Sequence, residues 1–269
     1  MVNYPNKMLF DINSDFRDSG THGDFIITLN IPSDKEINRA VIKDGIFKRS
    51  WFLIEDGQNT FILIENGVET TVTIQEGNYG FSSYRVYLQN LLNQISPNGW
   101  TYNINIPNPS IGPSTAKYSF SCIGGDPIFK FGDNIYEQMG FLKNSSNTFI
   151  NGSLISVNPV YFNRDVIHIH SDMVNDHQSN ELQTISATGG DFTSINYRCE
   201  DIEANSKPIT MKSNTFRFII MDEHHRPIKL SLNIAFTLML YKEYENDDEY
   251  YRMSMEYMKY NILNKGSLK

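Results

Sequence analysis

Polar and apolar residues alternate along much of this chain with the period of two that β-strands produce. Tyr102-Asn103-Ile104-Asn105-Ile106 and Tyr118-Ser119-Phe120-Ser121-Cys122 alternate strictly. Strands are predicted over 25–31, stopped by Pro32, and over 166–170, closed by Ser171-Asp172. The strongest β signal is Phe216-Arg217-Phe218-Ile219-Ile220-Met221, a polar turn at 222–227, and the apolar-rich run 228–240. Residues 50–54 and 61–65 flank a polar turn, and Asn66-Gly67 leads from there into a further strand over 68–74. One segment breaks the period. Tyr84, Leu88, Leu91, Leu92 and Ile95 recur at helical spacing, which predicts a helix over 82–96. It follows a Gly77-Asn78-Tyr79-Gly80 turn and has Ser82 or Ser83 as its N-cap.

Many short strands at turn-rich spacing, with one helix outside them, predict an all-β sandwich or jelly roll. The helix should lie on a sheet through Leu88, Leu91, Leu92 and Ile95. The polar residues 1–24 read as a flexible arm before a domain over 25–240. Within that domain, about 107–165 is rich in Pro, Gly, Asn and Ser and reads as a loop-rich insertion. Past Leu240 the chain becomes acidic and rich in Tyr and Met, so 241–269 reads as an adhesive tail in which Tyr250, Met253, Tyr257 and Tyr260 have helical spacing. No repeat of 20 to 50 residues is visible.

At 269 residues the chain can bury about three-quarters of its unfolded surface without a metal or disulfide staple. Cys122 and Cys199 read as reduced, partly buried thiols. A net charge of -8 argues against wrapping duplex nucleic acid, so little or no nucleic-acid contact is expected. Lys43, Lys48 and Arg49 form a small basic cluster that reads as a solvated loop. The first residues lack the basic and apolar regions of a signal peptide, and no run approaches the roughly 18 apolar residues of a membrane span. Asn144-Ser145-Ser146 and Asn151-Gly152-Ser153 match the glycosylation pattern, as an Asn-rich chain does by chance.

Signatures of catalysis are missing: no phosphate-binding Gly-rich loop with Lys, no Gly-x-Ser-x-Gly, no His-Glu-x-x-His and no Cys-x-x-Cys occurs. The best candidate is His168-x-His170, whose imidazoles share one face of a strand as metal ligands would, with Asp172, Asp176 and His177 nearby in sequence. Cupins use such a pair followed by a Glu, but Val174 and Asn175 stand where that Glu would fall. A half-exposed structural pair is the plainer reading. His224-His225 reads as polar filler in a turn, and Asp126, Asp133, Glu137 and Asp165 show no paired acid/base spacing. The expectation is a protein that is not an enzyme, with no catalytic residues, cofactor or metal.

Three phrases in order carry a resemblance. Ile74-Gln75-Glu76-Gly77-Asn78-Tyr79 opens the helix, Met139-Gly140-Phe141 follows it, and Ile167-His168-Ile169-His170-Ser171-Asp172-Met173 precedes the last two strands. Over residues 25–240 the chain resembles capsid proteins of the adenovirus, virophage and Polinton-like lineage. Its length accommodates one jelly roll rather than two, so within that lineage it is similar to the penton, or vertex, protein. The Arg-Gly-Asp loop of fibre-bearing relatives is absent. The resemblance implies a single jelly roll, a homopentamer at icosahedral five-fold vertices, and contact with a major capsid protein of the double jelly-roll type. It also implies a place in the virion, assembled in the host cytoplasm or virus factory. Alternatives are a minor capsid or cement protein, a sugar- or receptor-binding jelly roll using Trp51 or Trp100, and, last, a cupin-like enzyme.

Overall fold

Strands β1 (Met8–Asn13), β2 (Ser19–Gly20), β3 (Asp24–Thr28) and β4 (Arg39–Lys48) open the chain. Next come β5 (Thr60–Glu65), β6 (Val68–Thr73), helix α1 (Phe81–Ile95), β7 (Thr101–Asn105), β8 (Ser119–Ile123), β9 (Ile128–Lys130), helix α2 (Tyr136–Met139), β10 (Ser146–Thr148) and β11 (Ser153–Ile155). The last group is β12 (Val166–Ser171), β13 (Glu181–Ser186), β14 (Ser194–Arg198), helix α3 (Ile202–Asn205), β15 (Lys207–Pro208), β16 (Thr215–Met221) and β17 (Ile234–Tyr241). This computed structural model describes residues 7–106, 115–160, 164–174, 180–190, 193–243 and 255–259. Two compact units emerge: Met1–Arg49 with Val166–Lys269, and Ser50–Asp165.

In the first unit the sheets run β1-β17-β4-β14 and β13-β12-β16-β3-β2. Leaving out the two-residue strands and counting the remaining eight in chain order, the sheets read 1-8-3-6 and 2-7-4-5. That is the strand order of a jelly roll, with every pairing antiparallel. The sheets meet through their apolar faces. Phe218 of one and Phe236 of the other pack edge to face at 5.5 Å, flanked by the Phe25–Phe218 and Phe47–Phe236 stacks. The all-β jelly-roll fold is therefore as expected.

Its boundaries are not. The first jelly-roll strand is β1, within the segment read as a flexible arm, and it pairs from Met8↔Leu240 to Asn13↔Ala235. Only Ile12 of that strand is fully buried, so its alternation is weak in the sequence. The following turn is pinned: Ser14 Oγ accepts the Ile234 N–H at 3.1 Å, and Arg17 donates to the Ser14 and Gly20 carbonyls. Strand β4 also escaped notice. A register shift opposite Thr237/Leu238 slips its period, so Ala40 and Ile42 face inward on one side of the slip, and Gly45 and Phe47 on the other. Lys43 and Lys48 therefore lie on a strand, and Arg49 is buried with its guanidinium donating to the Gly189 carbonyl. The predicted strand over 228–240 shortens to β17, and residues 50–54 contribute only an isolated bridge, Ile54↔Gly77. Tyr241 ends β17 fully buried, and Glu243 is tied to Asn38 and Arg39. The tail beyond it lies outside the described residues except for the helical turn at 255–259.

The second unit corrects the picture of a loop-rich insertion. It holds sheets β10-β9-β5-β6 and β11-β8-β7 around a core of its own. Helix α1 belongs to this core rather than to the outside of the jelly roll. Tyr84, Leu88 and Leu92 are fully buried, and Leu91 and Ile95 pack at its margin. The N-cap is Gly80, whose N–H is accepted by Ser83 Oγ at 3.0 Å, and the chain leaves the helix at Ser96-Pro97. The core is dense in rings, with Phe129 touching Phe61, Tyr102, Phe120, Phe141 and Phe149.

Candidate functional site

Strand alternation puts His168 and His170 on the face of β12 opposite the core. Their neighbours are set by register. His168 sits between Thr184 of β13 and Met221 of β16, and His170 between Glu181 and Ile219. A bulge between Ile169 and His170 adds a residue on the β13 side, so Leu182 and Gln183 are both buried while Glu181 stays on the histidine face. The tight turn after β16 then brings a third imidazole. His225 adopts φ 57°, its N–H bonds the Asp222 carbonyl at 2.9 Å, and its ring stands 5.0 Å from His168 and 5.6 Å from His170. The two β12 rings are 6.4 Å apart.

One carboxylate serves this cluster. Glu181 Oε2 lies 3.0 Å from His168 Nδ1, and its other oxygen accepts the Thr184 hydroxyl. These contacts hold the Glu181 carboxyl below the usual carboxylate range against the opposing effect of partial burial. His170 is 8% exposed and its Nε2 has no hydrogen-bond partner. Burial, and then the neighbouring rings, pull its pKa below the ordinary histidine value, although the Glu181 charge acts the other way. Among the described residues no group of three or more His, Cys, Asp or Glu is placed to hold a metal ion.

The turn is braced from behind. Asp222, almost fully buried, accepts the His224 and Arg226 N–H groups at 2.9 Å each and pairs with the Arg226 guanidinium at 2.8 Å. Asp172 accepts the Arg217 N–H at 2.9 Å, so it caps a strand rather than joining the histidines. Asp176 and His177 lie outside the described residues. The other acids singled out in the sequence are scattered. Asp126 accepts the Gly152 N–H, Asp133 pairs with Lys143, and Glu137 accepts from the Tyr136 hydroxyl. His225 and Glu181 were not legible as partners of His168-x-His170, because only the pairing of β12 with β13 and β16 brings them together.

A second buried carboxylate gave no sequence signal. Glu65, fully buried at the end of β5, accepts from the Tyr102 hydroxyl at 2.7 Å, from Ser96 Oγ at 2.8 Å and from the Asn98 N–H at 3.1 Å. It ties the exit of α1 to the sheet. Trp51 is 2% exposed, which leaves no face for a sugar, and Trp100 is half-buried against the backbone of Gly124 and Gly125. Cys122 is buried and Cys199 partly so, and burial raises the pKa of both thiols.

Among the described residues, exposed apolar side chains occur on both units. On the first unit, Phe16 (77% exposed) and Ile46 (52%) line a groove of about 460 Å³ together with Asp11, Asp44 and Thr237. On the second, Ile123 (69%), Ile150 (72%) and Ile155 (63%) cluster about β8 and β11.

Neither a protein family nor a curated protein matches the sequence. Among solved structures, the chain is similar to the selenomethionine-labelled mavirus penton protein, with a TM-score of 0.42 and 12% identity over 87% of this chain and 99% of that one. No helix among the described residues is long and apolar enough to cross a membrane.

Proposed function

We propose that the chain is a structural capsid subunit, and specifically a penton that closes into a ring of five at the vertices of an icosahedral particle. The observation that carries this reading is the jelly-roll strand order with a separately cored unit, Ser50–Asp165, inserted between its third and fourth long strands. The three phrases behind the sequence resemblance also fall at structural joints. The Gly77–Gly80 turn opens α1, and the phrase ending in Ser171-Asp172-Met173 closes β12. Met139-Gly140-Phe141 ends α2 with Gly140 at φ +74°, where a Cβ would lie 2.6 Å from the Asn158 carbonyl oxygen. Glycine is required there by both conformation and space.

Ring closure needs two unlike flanks that fit one another. The Phe16–Ile46 groove and the Ile123, Ile150, Ile155 patch offer apolar area for contacts with neighbouring copies or with a double jelly-roll major capsid protein. The surface is acidic overall, so genome contact is minor in this reading. Native mass spectrometry and negative-stain imaging of the purified protein test it. Five chains per particle and five-fold rings are expected, and a monomer at high concentration that never enters particles overturns the proposal. Removing 244–269, which spares the buried end of β17, should leave the ring intact and weaken its incorporation into particles.

A further inference from the structure

We propose that His170, packed between His168 and His225, is a proton-operated latch: uncharged, its ring holds the 222–227 turn against β12, and proton uptake by it releases the turn. Three imidazoles from two elements stand within 5.0 to 6.4 Å of one another, ring centre to ring centre. Such spacing suits neutral rings in van der Waals contact and penalises charged ones. Among the described residues the carboxylate that contacts them is Glu181, and both its oxygens are engaged, one by His168 and one by Thr184.

The groups presented by each neighbouring element are few. Strand β12 supplies His168 and His170, β13 supplies Glu181, and β16 places only Ile219 and Met221 opposite the pair. The turn supplies His225, itself exposed like His224, while its Asp222 and Arg226 pair with each other; its Glu223 has a buried Oε2 without a partner but is not among the groups acting on His170. Among the described residues His170 Nε2 is buried and has no hydrogen-bond partner, so a proton placed there finds no acceptor while the turn is closed. A cation formed there gains no hydrogen bond and meets two neighbouring rings.

The direction of the pH effect follows. The His170 pKa is lowered in the folded protein, so the opened state binds the proton more tightly than the closed one. Stability of the latch is fully present above the ordinary histidine value near 6.5 and falls as pH drops from there toward the depressed value. The Glu181 pKa is also lowered, so its contribution persists through that window and disappears only in stronger acid. The turn in question is short. It joins β16 to residue 228 through the Asp222 N–H to Arg226 carbonyl and Ile228 N–H to Ile220 carbonyl bonds, both 2.9 Å.

Hydrogen–deuterium exchange of the full-length protein at pH 7.5 and pH 5.5, corrected for intrinsic rates, tests the latch. Amides of 222–228 should open several-fold more at the lower pH, with the core of β17 unchanged. In His170→Gln the same ratio should fall to near one. Equal pH responses in wild type and variant, or a response spread evenly over the whole chain, overturn the proposal. Should the variant fail to fold, NMR titration of the wild-type imidazoles decides. A His170 ring that titrates at or above the ordinary histidine value is fatal to the latch, whereas a depressed titration that moves together with the His225 resonances supports it. If equimolar zinc at pH 7.5 raises the melting temperature and protects the turn, the cluster is a metal site and the latch is wrong.

Discussion

The two units both bury an apolar core between antiparallel strands, yet they draw it from opposite ends of the scale of sequence separation. The first unit joins β1 to β17, pairing Met8 with Leu240, and β3 to β16, pairing Thr28 with Thr215. The second builds its sheets from neighbours: β5 turns into β6 at Asn66-Gly67, β7 pairs β8, and β8 pairs β11. Its core is correspondingly self-contained and rich in rings, whereas the first relies on Ile, Leu and Phe drawn from both ends of the chain. Loop-closure entropy must be overcome before distant strands reward it. The insert is therefore placed to fold first, and closure of the jelly roll waits for the last strand. An autonomous insert between the third and fourth long strands would let one unit change while the other keeps its fold.

The largest expected effect comes from breaking the insert. Phe129 is fully buried among five other aromatic rings, and Phe129→Ala should cost about 3–5 kcal/mol through lost contacts and the cavity left behind. The readout is built in, because both tryptophans, Trp51 and Trp100, belong to the second unit. Urea unfolding followed by tryptophan emission should shift strongly to lower midpoint. Far-ultraviolet circular dichroism, which sees both units, should split into two steps. A single coincident transition for both probes would show that the chain unfolds as one block.

The converse change strikes the first unit. A Cβ on Gly45 would lie 2.7 Å from the Phe47 ring and 2.8 Å from Phe236 Cβ, where the two rings close the space over the strand. Gly45→Ala should cost about 1–3 kcal/mol by overpacking. Here the dichroism midpoint should fall while the tryptophan midpoint holds. If emission moves as far as dichroism, the contrast between the units is wrong.

This difference in range also decides what could be read in the sequence. Elements whose inward face is regular announced themselves: β7, β8, β12, β16 and α1 all stand close to where alternation or helical spacing places them. Those that were missed have physical causes. Strand β1 buries only Ile12 fully, β4 carries a register slip, and β13 carries a bulge that puts Leu182 and Gln183 inside together. A period interrupted by a bulge is not a period. The candidate site was half legible for a similar reason. His168 and His170 share a strand, so spacing reveals them, but Glu181 and His225 arrive only through pairing across the sheet. Glu65 had no signal, since a Glu before Asn-Gly reads as solvated until Tyr102, Ser96 and Asn98 close around it.

The smallest expected effect sharpens the comparison at the surface of the first unit. Arg217 of β16 and Asp24 of β3 form a two-pronged pair, Nε to Oδ1 at 2.8 Å and Nη2 to Oδ2 at 2.6 Å, across strands far apart in sequence. The geometry is good, but both side chains are more than a third exposed, so solvent screens the attraction. A double-mutant cycle of Asp24→Asn and Arg217→Ala should return a coupling of about 0.2–1 kcal/mol. The Arg217 backbone bond to Asp172 survives the substitution, so strand pairing itself is not being measured. At ~1 M salt the Debye length shrinks to about 3 Å and the coupling should decline further. The tryptophan midpoint should not respond at any salt concentration, because the pair lies wholly within the jelly roll. A coupling well above that range that also shifts tryptophan emission would mean that this edge of the jelly roll is energetically joined to the insert. The two units would then have to be treated as one.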